Sequence, residues 1–255
     1  MTLDPRRREL RDSFLAERGF WTPPLEAVLQ ADPDFFAAYL EFSAVPARHG
    51  VLPPKVRELI YVAVDASTTH LHADGTRAHI RAALRAGATQ AEIMEVLELT
   101  SVLGIHTCTL AVPILLEEAA GPDGAVAELT PRQVELKQEF VASRGFWAPP
   151  FEAILRADPD FFAAYAAFSG VPWVSGVLPP KLKELVYLAV DAATTHLHAG
   201  GTRAHLRRAL EHGATREEIM EVLEVTSVLG IHTATMAVPI LLEELERAAS
   251  EQAGD

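Results

Sequence analysis

Histidine is the side chain on which any chemistry of this chain must first be judged. The segment TTHLHADGTRAHIRAALRAGAT, from Thr68 to Thr89, returns from Thr194 to Thr215 with every histidine in place. His70 and His72 recur as His196 and His198, His79 as His205, and farther on His106 as His232. Two residues apart, His70 and His72 diverge on a helix, but in an extended turn both can face one cavity. Arg77 and Arg81 (Arg203 and Arg207 in the second copy) flank His79, and Glu58, Glu184 and Glu98 are the candidate carboxylates. Imidazoles titrate near neutral pH and guanidinium groups bind carboxylates, so one reading is an acid/base site for a small acid. A second is a divalent metal held by His70, His72, His79, Glu98 and His106, since these offer nitrogen and oxygen ligands. The third is structural, with histidines capping helix ends and satisfying buried carbonyls.

Other chemistries lose support. The chain has no Gly-rich phosphate loop, no G-x-S-x-G and no H-E-x-x-H. Cys108 is the single cysteine, and Ala234 stands opposite it in the second copy, so dithiol chemistry within a chain is excluded. A net charge of −13 repels phosphate backbones, so no nucleic-acid partner is expected. The N-terminus MTLDPRRREL is charged and lacks an apolar leader core, and no uninterrupted apolar run approaches the ~18 residues of a membrane span. A cytoplasmic protein without a membrane partner is therefore expected.

The elements that must position these residues are written twice. From Phe14/Phe140 to Glu118/Glu244 the halves align without a gap, and about three in four positions are identical. This period is too long for a solenoid, so residues 1–125 and 126–255 read as two whole domains, joined at the breaker-rich Gly121-Pro122-Asp123-Gly124. Each half reads as all helix, with six or seven helices. Pro54 and Pro180 sit in first turns, Asp32-Pro33 and Asp158-Pro159 read as caps, and Thr89-x-x-Glu92 and Thr215-x-x-Glu218 as capping boxes. Glu58, Tyr61 and Asp65 share one side of their helix, away from its main apolar stripe. The helix carrying Glu95 and Glu98 is apolar nearly all round and should be buried on both sides, its carboxylates paired, perturbed or at an oligomer interface, with a solvated carboxylate face as the alternative, more for Glu95 than for Glu98. The stripe GFWTPPLEAVL reads as core.

Three stretches, LPPKVRELIYVAVDA, the histidine segment and RAALRAGATQAEIMEVLELTSVLGI, together with DPDFFAAYLEFS, resemble the carboxymuconolactone decarboxylase family, which includes the alkylhydroperoxidase D-like proteins. The resemblance covers nearly all of both halves and implies tandem duplicated alkylhydroperoxidase D-like helical domains. It also implies a homo-oligomer, plausibly a trimer resembling a hexamer of single domains. Peroxidase members carry C-x-x-C before a histidine, with a glutamate about three turns earlier. Glu58 and His79 match that glutamate and histidine, but the cysteine positions fall around His72 and Gly75, which disfavours a thiol peroxidase. His79-Ile80-Arg81-Ala82-Ala83 is closer to the H-[LI]-R-A-A of true decarboxylases.

The resulting expectation is a cofactor-free lyase of aromatic catabolism acting on a small carboxylated lactone or acid. His79 would protonate the carbon left by CO₂, Glu58 would orient His79, and Arg77 or Arg81 would hold a carboxylate. His70, His72 and His106 would line the pocket, and Glu184, His205, Arg207, His196, His198, Arg203 and His232 would repeat these roles. A metal-dependent enzyme and a non-catalytic oligomeric acid-binding protein are the alternatives.

Overall fold

The computed structural model describes residues 4–120 and 128–254, and the Gly121–Gly124 seam lies outside the described residues. Within them there is no strand. The first repeat runs α1 (Pro5–Arg18), α2 (Pro23–Ala31), α3 (Pro33–His49), α4 (Pro54–Ala66), α5 (Ala73–Arg85), α6 (Gln90–Val102) and α7 (His106–Ala120). The second repeats this as α8 (Pro131–Arg144), α9 (Pro149–Ala157), α10 (Pro159–Val174), α11 (Pro180–Ala192), α12 (Ala199–Glu211), α13 (Arg216–Val228) and α14 (His232–Gly254). A single 3₁₀ turn, Leu103–Ile105 or Leu229–Ile231, joins α6 to α7 and α13 to α14.

Local chemistry sets these boundaries. Asp32 and Asp158 cap α3 and α10 through their side chains, and prolines occupy the first turns of both helices, where a missing N–H costs nothing. Both capping boxes form, Thr89 with Glu92 and Thr215 with Glu218. The helix of His79 begins at Ala73. Its cap is His72, whose Nδ1 accepts the Gly75 N–H at 3.0 Å, so Asp74 and Gly75 lie in the first turn.

The core is shared between the repeats. Leu59, Ile60, Val62 and Val64 of α4 pack in one cluster with Leu185, Val186, Leu188 and Val190 of α11 and with the buried faces of α6 and α13. The outer helices cross over. Ala234 and Val238 of α14 pack on the cluster of Phe14, Leu29 and Phe36 in the first repeat. Cys108 and Val112 of α7 pack reciprocally on that of Phe140, Leu155 and Phe162.

The α6 helix buries Ile93, Val96 and Leu99 in the core shared with the other repeat of the same chain, while Met94 is 47% exposed. Glu95 sits in that contact. Its Oε1 pairs with Lys183 Nζ at 2.7 Å, and its Oε2 accepts the N–H groups of Val177 and Leu178 at 2.5 and 2.7 Å. Glu221 mirrors it, accepting from Val51 and Leu52 and pairing with Arg57 at 3.0 Å. A Cβ at Gly176 or Gly50 would run into these carboxylates, so both positions need glycine.

Through the 3₁₀ turns, Gln90–Ala119 and Arg216–Glu251 form rods that each contain an 18-residue window apolar enough by composition to cross a membrane, with mean hydropathies of 1.8 and 1.7 in those windows. Isolated polar residues interrupt the apolar run in sequence without making the rods polar, and their α6 and α13 halves belong to the shared core.

Replacing Glu95 by alanine leaves Lys183 buried without its counter-charge. We expect a loss of about 3–5 kcal/mol, measured by denaturant unfolding. A change under ~1 kcal/mol would show that these cross-repeat bonds do not hold the halves together.

Candidate functional site

Two sites related by the repeat lie where the halves meet, and each takes side chains from both. In the first, Asp65 and Glu58 come from α4, His70 and His72 from the turn after it, and His79 from α5. The remaining imidazole is His232, the first residue of α14. In the second, Asp191, Glu184, His196, His198 and His205 are met by His106. His106 is therefore not a neighbour of His70 and His72. The crossing of α7 and α14 exchanges the two.

The turn that aims His70 and His72 is strained. Leu71 and Leu197 have φ of 49° and 50°, the left-handed region that branched side chains avoid at a cost of about 1–2 kcal/mol. Leu71 is 70% exposed, so packing does not explain the conformation. It does turn the flanking histidines to one side. His70 Nε2 lies 2.8 Å from His232 Nδ1, and His72 stacks on His232 with ring centroids 3.7 Å apart. In the second site His106 Nδ1 and His196 Nε2 are also 2.8 Å apart, and His106 stacks on His198 at 3.8 Å.

The imidazoles surround a buried carboxylate. Asp65 and Asp191 have no solvent exposure, and none of their carboxylate oxygens has a hydrogen-bond partner. Around Asp65, His232 Nδ1 is at 3.5 Å and His70 Nε2 at 3.7 Å from Oδ1, and His79 Nε2 is at 4.0 Å from Oδ2. These separations exceed hydrogen-bond range. Burial pushes both carboxyls up to about 7. Burial, helped by the neighbouring imidazoles, holds His232 and His106 down to about 3, so both are neutral near pH 7. Gly75 lets α5 approach this carboxylate, because a Cβ there would strike Asp65 and His72.

On the other side of His79 lies a cavity of about 280 Å³. His79 Nδ1 is 2.7 Å from Glu58 Oε2, and its ring stacks on Tyr61 at 4.3 Å. Glu58, His72, His79 and His232 reach the cavity, Arg18 stands at its wall, and Phe20, Leu229 and Ile231 contribute apolar surface. GFWTPPLEAVL is thus both core and wall, because Phe20, Thr22, Pro24 and Leu25 face the cavity. Arg77 and Arg81 are exposed and border a shallow depression with Leu71 and Ile80, outside the cavity. Arg203 and Arg207 are likewise exposed. The spacing from His79 put them beside it in sequence, but the helical period turns them to solvent. Among the described residues, Asp65, His72 and His232, and likewise Asp191, His198 and His106, bring ligand-type atoms within 4.8 Å of one another, and Glu98, half-buried on α6, joins neither group.

The two copies differ at this cavity. Arg208 stands where the first repeat has Ala82. Its Nε pairs with Glu184 Oε1 at 2.7 Å, and its guanidinium lies over Phe146 at 4.2 Å and over Trp173 at 5.7 Å. Trp173 itself replaces Ala47. Glu184 is consequently 1% exposed, against 24% for Glu58. Burial raises the Glu184 carboxyl, but the His205 hydrogen bond and the charges of His205 and Arg208 outweigh it and hold the group below its ordinary value.

The profile of the Carboxymuconolactone decarboxylase family matches residues 33–105 and 159–243, once in each repeat and across the site residues of α4, α5, α11 and α12. The chain belongs to the carboxymuconolactone decarboxylase family. This tandem two-repeat member is also similar to a solved protein of Burkholderia xenovorans LB400, provisionally described as a gamma-carboxymuconolactone decarboxylase subunit. The two share 46% identity and a TM-score of 0.90, over 96% of this chain and 100% of that one. No curated protein matches. The carboxylates Asp65 and Asp191 were not among the site residues expected from the histidine segment. The signal was present, since Asp65 shares a helix side with Glu58 and Tyr61.

Arg208→Ala should unseal Glu184 in this family member. We expect a crystal structure of the variant to show a cavity like the first repeat's, with a stability loss of about 1.5–3 kcal/mol from the lost charge-assisted hydrogen bond, Glu184 keeping its bond to His205. A second site still closed around Glu184 would mean that Trp173, not Arg208, blocks it.

Proposed function

We infer that the first-repeat cavity is a lyase site for a small, largely apolar acid and that Glu58 is its proton donor and acceptor. The observation that carries this reading is the position of Glu58, open to the cavity on one side and bonded to His79 on the other. This reverses the roles expected from sequence. His79 is the more enclosed of the two and faces Asp65 with its second nitrogen, so it positions and tunes Glu58. Arg18 replaces Arg77 and Arg81 as the group for a substrate carboxylate.

A decarboxylation fits these parts. Arg18 holds one carboxylate and fixes the orientation. A second carboxylate, on the carbon conjugated with a lactone or ketone carbonyl, lies against Phe20, Leu229 and Ile231, where loss of water favours loss of charge. The C–C bond breaks, CO₂ leaves, and the electron pair stays on the conjugated carbon. The Glu58–His79 pair delivers a proton to that carbon from the Glu58 side, and solvent entering the emptied cavity restores it. The family and the provisional description of the Burkholderia protein favour decarboxylation over isomerisation. We also propose that the exposed apolar residues of α7, Leu110, Ile114 and Leu115, serve self-association.

4-Carboxymuconolactone and related carboxylated lactones are the substrates to assay, by CO₂ release. Glu58→Gln should lower kcat by about 10²–10⁴-fold, and Arg18→Ala should raise KM for acids with a second carboxylate more than for those without one. Wild-type protein that turns over none of these acids would refute the lyase reading. Light scattering should give the mass of about three chains, and a monomer would remove the role assigned to α7.

A further inference from the structure

We propose that each site holds a divalent first-row transition-metal ion, bound by one aspartate and two histidines drawn from both repeats. The ligands are Asp65, His70 and His232 in the first site and Asp191, His196 and His106 in the second. Asp65 Oδ1, His70 Nε2 and His232 Nδ1 form a triangle with sides of 3.7, 2.8 and 3.5 Å. The point equidistant from such corners lies about 2.0 Å from each, the length of a bond from imidazole nitrogen or carboxylate oxygen to zinc and similar ions. The second triangle, Asp191 Oδ1, His196 Nε2 and His106 Nδ1, has sides of 3.6, 2.8 and 3.4 Å and a corresponding distance of about 1.9 Å.

The carboxylate is an independent argument. Asp65 is fully buried, aimed among imidazoles and without a hydrogen bond. A buried carboxyl group without a hydrogen bond is costly in either protonation state, and in its charged form it is kept only when paired or coordinating a metal. The imidazole–imidazole contact at 2.8 Å could be a hydrogen bond, but it would leave the aspartate as it is. A cation at the shared point satisfies all three groups. His72 is excluded as a ligand through Nδ1, whose lone pair takes the Gly75 N–H; it supports His232 by stacking. His79 shows the second-layer arrangement of metal sites, with Nδ1 on Glu58 and Nε2 facing the other oxygen of Asp65. Two imidazoles and one carboxylate select iron, manganese, cobalt, nickel or zinc over magnesium and calcium.

The inference stands apart from the lyase reading, because metal content is measured without substrate. Untagged protein is stripped with chelator, loaded in turn with Zn²⁺, Mn²⁺, Co²⁺ and anaerobic Fe²⁺, desalted, and analysed for metal per chain and for thermal midpoint. We expect two ions per chain for at least one metal, with a raised midpoint. His232→Ala, a change in the second repeat, should leave one ion, and so should Asp65→Asn. Should either variant fail to fold, His70→Gln, at the partly exposed edge of the site, makes the same test. Sub-stoichiometric binding of every ion with no change in midpoint would overturn the proposal, as would folded Asp65→Asn protein that still holds two.

Discussion

Two glutamates fix the relation on which everything else in this fold depends. Glu95 and Glu221 reach out of their own repeats and take backbone N–H groups of the other, at Val177-Leu178 and Val51-Leu52, while pairing with Lys183 and Arg57. A buried carboxylate with three partners tolerates no slippage, since losing one leaves charge without compensation. The register so set brings α4 against α11 and carries α7 and α14 across to cover the opposite repeat. His106 and His232, which open those crossing helices, thereby enter sites in which their imidazole partners His196 and His70 lie 90 and 162 residues away. Neither repeat has a complete site of its own.

Duplication inside one chain has released the two sites from identical duty. A homodimer of single repeats would be bound to change both copies together. Here Ala82 and Ala47 leave space beside Glu58, while Arg208 and Trp173 close it beside Glu184. The aspartate–histidine clusters have not diverged in this way, and their distances agree to within about 0.2 Å between copies. The two layers of each site are thus under different constraints. The cluster is held in both copies, and the apolar cavity above it is open beside Glu58 and blocked by an arginine beside Glu184.

Much of the fold was readable because local signals and hydrophobic period agree. Asp32-Pro33, Pro54 and the Thr89–Glu92 box start helices where sequence places them, and the apolar character of α6 implied the burial of Ile93, Val96 and Leu99. What covered them was not readable, because burial against another chain and burial against another repeat leave the same composition. The same ambiguity hid the exchange of His106 and His232, identical residues at equivalent positions. Within the site, Glu58 and His79 followed from the family pattern, whereas Arg77 and Arg81 were chosen by nearness in sequence. Arg18 has no local mark as a site residue, and only the tertiary packing of α1 brings it to the cavity wall.

Leu71 shows why the buried cluster is more than a by-product of packing. A leucine in left-handed conformation, with most of its side chain in solvent, contributes little burial and costs conformational energy. Glycine would remove that cost, yet the chain carries leucine there in both copies. The strain aims His70 and His72 inward together, and this places neutral imidazoles around a carboxylate that none of them satisfies. Strained backbone and a buried carboxyl group without a hydrogen bond each oppose stability, and the fold accepts both at one point, twice. A core built for stability alone would place apolar side chains at Asp65 and Asp191, as it does at the neighbouring Val64 and Val190. The metal ion proposed for each cluster would recover free energy forgone there, by giving the carboxylate the partner that no imidazole supplies.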